Sequence, residues 1–135
     1  MELGCVTCEH LNTCIDALRE VSPYCGAYNH EEAKIPLVYA VDFDGTLCTD
    51  NYPYAGEPNE RLIKGLIAER ARGVKLILWT CREGEPLDLA VEWCKAHGLE
   101  FDAVNENLPE LKELWGNDTR KIGATLYIDD KAVRV

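Results

Sequence analysis

Two acids, Asp42 and Asp44, stand at the end of the apolar run IPLVYAVDF (35–43), and Gly45 and Thr46 follow at once. A second acidic pair, Asp129 and Asp130, closes the run ATLYIDD (124–130), and Thr80 ends VKLILWT (74–80). Acids converging in one cleft repel each other unless a cation joins them, and all-oxygen ligands suit a hard cation such as Mg2+. Mg2+ keeps several waters and shares substrate phosphates, so the pattern reads as magnesium plus phosphate. Asp42 is placed to attack phosphorus, because a carboxylate can form an aspartyl-phosphate that splits hydrolysis into two easier steps. Asp44 is placed to give a proton to the leaving oxygen and later to take one from water. Gly45 permits a tight turn that brings backbone N–H groups near the phosphate. Thr80 offers a hydroxyl donor, and a Lys is needed to complete the neutralisation of the transferring group.

These residues need a scaffold that delivers them to one place. The chain has 135 residues, enough for one domain. From Ile35 onward, strand and helix patterns alternate. IPLVYAVDF, VKLILWT and ATLYIDD are near-continuous apolar runs of strands buried on both faces. A helix with Leu62, Ile63, Leu66, Ile67 and Arg70 starts at the Asn59 cap and ends at Gly73. A second, in LDLAVEWCKAHG, turns Leu87, Val91 and Cys94 inward and stops at Gly98. A short strand is expected over 101–104 and an irregular or helical stretch over 109–115, while 45–59 reads as a loop. Strands separated by helices of this length imply an α/β fold, a Rossmann-like three-layer sandwich around a parallel sheet. In such sheets ligands sit outside the carboxyl ends of the strands, where Asp42, Asp44, Thr80, Asp129 and Asp130 fall.

DFDGTL, the strand-terminal Thr of LWTCR and the DD after a further apolar strand together resemble the haloacid dehalogenase-like (HAD) hydrolase superfamily over residues 36–133. The resemblance implies Asp42 as nucleophile, Asp44 as acid/base and Thr80 as the second-motif Thr. It implies Mg2+ held by Asp42, the backbone carbonyl of Asp44, and Asp129 and Asp130, with Asp129 in direct contact. It places the motif Lys before the last strand, where Lys121 stands first, with Lys112 and Arg120 close by. Members that cleave carbon–halogen bonds lack an acid at the position of Asp44, so phosphate-ester hydrolysis is the implied activity, in a small capless member. The gaps 45–59 and 105–123 are too short for an inserted cap, which needs roughly 50 residues or more. An open cleft follows, with Arg82 and Glu83 lining its mouth and choosing the leaving group.

Residues 1–34 form a Cys-rich segment, with a short helix expected over 10–21. Cys5, Cys8, Cys14 and Cys25 supply four thiolates, enough for a structural Zn2+ site or an iron–sulfur cluster, and His10 or His30 could replace one of them. The plainer reading makes Cys14 a small buried residue. A short segment with few large apolar residues needs such a staple.

A net charge of −10 repels a nucleic-acid backbone, and no apolar window reaches membrane-spanning length. The start has no signal-peptide pattern, so a cytoplasmic address is expected. The implied partner is a phosphorylated substrate; its identity and the oligomeric state are not written in the sequence.

Any one acid at a strand end is ordinarily a solvated turn residue; the joint occurrence at three strand ends favours a phosphate site. For Thr80 the plainer role is the N-cap of the helix that follows, and for Lys121 an exposed charge. Cys48 and Cys81 could form a redox pair at the cleft but read better as small filler, and Trp79, Trp93 and Trp115 read as packing. Two other functions compete. One is a binding or scaffold protein on the same fold with little turnover. The other is a phosphoaccepting receiver domain, whose acidic pair ends the first strand and whose Lys ends the last, the reverse of the order here.

Overall fold

The computed structural model describes residues 36–133 and 135. The expected helix over 10–21 and the thiolates of Cys5, Cys8, Cys14 and Cys25, with His10 and His30, lie outside the described residues. Apolar β-branched runs form the centre of the fold. Val38–Val41 (β1) is buried along its whole length, and Lys75–Leu78 (β4) is buried from Leu76 onward. Ala103–Val104 (β5) and Leu126–Ile128 (β6) complete a four-stranded sheet in the order β5-β4-β1-β6. Every pairing is parallel, with Val41 opposite Leu78 on one side and opposite Ile128 on the other. The strands are shorter than the apolar runs that contain them.

In chain order the sheet grows from β1 through β4 to β5, and β6 then returns to the free side of β1. The direction of winding therefore reverses between β1 and β6. In open parallel sheets that reversal leaves a crevice at the carboxyl ends of the strands.

Alternating side chains of the strands enter two apolar clusters. Tyr39, Val41, Leu76 and Leu78 join one with Leu62, Ile63 and Leu66 of α1 (Glu60–Ala71) and with Ala90 and Cys94 of α2 (Gly84–Ala96). Val38, Ala40 and Ile77 join the other with Leu108, Ile122 and Leu111 of α3 (Pro109–Trp115). This mixed α/β arrangement is compatible with a Rossmann-like sandwich. Asn59 caps α1 as expected, its side chain accepting from the Leu62 N–H at 3.2 Å. On that helix Ile67 faces outward and Glu69 is buried, so the apolar stripe is narrower than its spacing suggested. Leu87 and Val91 are only partly buried, whereas Cys94 is fully so. No helix among the described residues is long and apolar enough to cross a membrane.

Residues 45–59 are not a plain loop. Cys48–Asn51 (β2) and Tyr54–Pro58 (β3) pair antiparallel in a hairpin with a register shift between Cys48 and Asp50. Gly56 permits this pairing, since a Cβ there would run into the Thr49 carbonyl and hydroxyl. The Asn59 N–H bonds the Leu47 carbonyl at 2.8 Å and ties the hairpin to the start of α1.

Candidate functional site

Asp42 leaves β1 and Asp129 leaves β6 at adjacent positions, the Asp42 N–H bonding the Ile128 carbonyl at 2.9 Å. Asp42, Asp129 and Asp130 each offer a carboxylate oxygen, and these oxygens lie within 4.8 Å of one another. Separate strands thus gather three of the acids at the switch point of the sheet. Burial, with the charge of Asp129 next, pushes the Asp42 carboxyl up from 3.8 to about 6, against the opposing hydrogen bond from Thr46. Burial acts to raise Asp130 as well, but hydrogen bonds from Lys131 and from its acidic neighbours outweigh it and hold that carboxyl below its ordinary value. The donor set is all oxygen and strongly anionic, which fits a hard divalent cation.

Thr46 pins this group. Its hydroxyl donates to Asp42 Oδ2 at 3.1 Å and accepts from the Asp130 N–H at 3.0 Å. Gly45 adopts φ +85°, and a Cβ there would collide with the Asp130 carboxylate. Gly45 therefore admits Asp130 and does not present its amide to a ligand. Its N–H bonds the Cys48 carbonyl at 2.8 Å, and the N–H groups of Thr46 and Leu47 both bond the Phe43 carbonyl. The turn closes on itself, contrary to the expectation of free amides.

Asp44 stands apart from the three clustered acids. Arg82 Nε donates to its Oδ2 at 2.9 Å and Nη2 to its Oδ1 at 2.7 Å. Arg82 is only 3% exposed, so it neither lines an open mouth nor selects a leaving group directly. Its Nη1 donates to the carbonyls of Pro53 and Pro86, and its Nη2 also donates to that of Tyr54. Hydrogen bonding to Asp44 raises the pKa of the guanidinium above its already high value.

Thr80 lies just past β4, as expected from its strand-terminal position. Its Oγ1 accepts from the Arg82 N–H at 3.2 Å, leaving the hydroxyl hydrogen for another acceptor. It does not cap α2; Glu83 holds that position without a side-chain cap bond. Asn105, at φ 55°, braces the same loop by accepting from the Thr80 N–H at 2.8 Å. Lys121 forms no ion pair with the acids; its Nζ lies 5.5 Å from the centroid of the Tyr127 ring. Lys112 is engaged by Glu106 at 2.6 Å. Among the described residues, the lysine paired with one of these acids is Lys131, whose Nζ lies 3.3 Å from Asp130 Oδ2.

Sequence reasoning gave no role to Thr46, Lys131 or Asn105. The first two adjoin residues already singled out, which was the available signal. Cys48 is buried and Cys81 exposed, and burial raises the Cys48 thiol pKa, the opposite of the activated thiolate that a redox switch needs. Trp93 packs edge-on against Phe43 at 5.4 Å and Trp79 against Tyr127 at 5.3 Å.

A scan against protein-family models and a search of curated proteins find no match. Among solved structures, a conserved protein coded by a locus from Bacteroides thetaiotaomicron is 45% identical to this chain, with a TM-score of 0.65. The likeness covers 73% of this chain and 79% of that one.

Proposed function

We propose that this chain, which belongs to the same family as the conserved Bacteroides thetaiotaomicron protein, is a Mg2+-dependent phosphate-ester hydrolase of the HAD-like type, built as a three-layer sandwich. The observation that carries the reading is the meeting of Asp42, Asp129 and Asp130 oxygens within 4.8 Å at the switch point of a parallel sheet. The raised pKa of Asp42, caused first by burial and then by the charge of Asp129, marks a cost of the carboxylate form that a bound divalent cation would offset. Side-chain oxygens of Asp42, Asp129 and Asp130 would hold the ion, with the Asp44 carbonyl beside them. When bound, Mg2+ supplies charge neutralisation at the phosphoryl oxygens.

Asp42 attacks phosphorus, a new P–O bond to its carboxylate forms and the bond to the leaving oxygen breaks. Asp44 assists that departure with a proton and, once returned to the carboxylate, takes a proton from the water that cleaves the aspartyl-phosphate. Thr46 fixes the aim of Asp42 through its hydroxyl. The Thr80 hydroxyl donates to a phosphoryl oxygen, and Lys131 offsets negative charge where Lys121 was expected to act.

One observation favours a second reading, a binding protein on this fold with little turnover. Both oxygens of Asp44 accept hydrogen bonds from Arg82, so a proton on Asp44 displaces a charge-assisted bond. Hydrolysis of an aryl phosphate with and without Mg2+, beside an Asp42→Asn control, decides between them. The hydrolase shows metal-dependent turnover that the variant loses; equal, near-blank rates for both proteins favour the binding reading.

A further inference from the structure

The hairpin tip beside Asp44 carries an aromatic ring held from below and open above. Tyr52 is 60% exposed, yet its ring centroid lies 5.1 Å from the Arg82 guanidinium carbon. The same guanidinium lies 4.7 Å from the ring of Phe43, which is fully buried. Arg82 fixes the backbone of the tip as well, through the carbonyls of Pro53 and Tyr54, while its fork holds Asp44. The contact with Arg82 biases the ring toward one orientation, which lowers the ordering that stacking on it requires. The group that departs next to Asp44 is the alcohol side of the ester, and the hairpin is the element tied to that carboxylate.

We propose that the open face of Tyr52 is the leaving-group subsite and that it selects phosphomonoesters whose leaving group carries a planar ring, either an aryl alcohol or a nucleobase. The proposal rests on the hydrolase reading for the orientation of the substrate. Tyr52 acts by stacking, for which any π-face serves, and no hydrogen-bond pattern is required of the ring. Arg82 is a positioning residue: it holds the platform and Asp44 in one frame without touching substrate.

The test uses the full chain with Mg2+ and three non-hydrolysable probes: phenylphosphonate for a bare ring, the methylenephosphonate analogue of adenosine monophosphate for a nucleobase, and propylphosphonate as an alkyl control. Affinities are measured by calorimetry, with the Tyr52 ring signals followed by NMR. The expected result is that at least one ring ligand binds about tenfold more tightly than propylphosphonate, and the larger gain identifies the source of the ring. The advantage should persist in Tyr52→Phe and vanish in Tyr52→Ala, with Tyr52 signals shifting in the wild-type protein. Equal affinity for all three probes, no binding by any of them, or a ring advantage retained in Tyr52→Ala overturns the proposal. Turnover of phenyl phosphate is scored separately. A protein that prefers rings through Tyr52 but hydrolyses nothing loses the hydrolase reading and keeps the subsite.

Discussion

Arg82 and Asp44 form a two-pronged ion pair, 2.9 and 2.7 Å long, and the arginine side chain is 1% exposed. The pair joins the loop after β4 to the turn after β1, and the remaining guanidinium bonds reach the hairpin tip and the first turn of α2.

Breaking this pair from one side leaves a partly buried carboxylate and three backbone carbonyls without their donor. Arg82→Met should therefore destabilise the protein by about 3–5 kcal/mol, the range for removing one member of a buried pair. The double variant Arg82→Met/Asp44→Asn should recover part of that loss, because the orphaned charge is gone. Urea denaturation of the two single variants and the double gives the coupling, and strict additivity would contradict the arrangement.

Gly45→Ala meets two obstacles: a φ of +85° and the Asp130 carboxylate in the space of the new methyl. The backbone term alone amounts to about 1–2 kcal/mol. Displacing Asp130 also spoils the acid cluster. The variant should lose thermal stability, and added Mg2+, which should raise the melting temperature of the wild type under the proposed function, should raise that of the variant far less. Melting curves with and without the metal check both effects.

Asp42 carries a pH signature. Its folded pKa stands near 6 against an ordinary 3.8, so burial penalises the carboxylate form. In metal-free protein the penalty is absent below pH 4, grows between there and about 6, and is complete above that. Metal-free Asp42→Asn should thus be more stable than wild type at pH 8, and the gap should close as the pH falls toward 4. Excess Mg2+ should reverse the order at pH 8. Melting temperatures across this range are the measurement.

Asp102 behaves in the opposite sense. Burial tends to raise its pKa, but hydrogen bonds from the Arg70 side chain and the Leu76 N–H outweigh this and lower it. The folded state then binds a proton less readily than the unfolded chain, so the contribution is present at neutral pH and is lost as the pH falls through the folded value. Asp102→Asn should be less stable at pH 7, and its stability should fall less steeply on acidification. Urea midpoints at a series of pH values test this; parallel curves for the two proteins would refute it.

The central strands were legible because a strand buried on both faces must be apolar throughout, and no other role suits Val38–Val41 or Leu76–Leu78. Their parallel pairing followed from the helices between them, and with it the meeting of Asp42 with Asp129 and Asp130. The β2–β3 hairpin was not legible. Its residues are largely exposed and polar, with a proline at the tip and another at the end, so no alternation marks it as a pair of strands. The role of Arg82 was not legible for a general reason: a lone charged residue in a loop is normally solvated, and only tertiary contacts reveal the Asp44 carboxylate and the three backbone carbonyls that it meets. Chain order points to Lys121 but does not say which lysines pair with a carboxylate, and Lys131 does so from the residue next to Asp130.

The short pairing between β1 and β6 has a further consequence. Only three residue pairs, from Tyr39↔Leu126 to Val41↔Ile128, set the alignment of these strands. A slip of one residue would carry Asp129 about 3.3 Å along the strand and turn its side chain to the opposite face. The proposed ion, held by both Asp42 and Asp129, would stabilise only the correctly aligned chain. The proposed cation would then serve as a proofreader of folding as well as a participant in chemistry, rewarding one strand alignment and leaving every slipped one without its support.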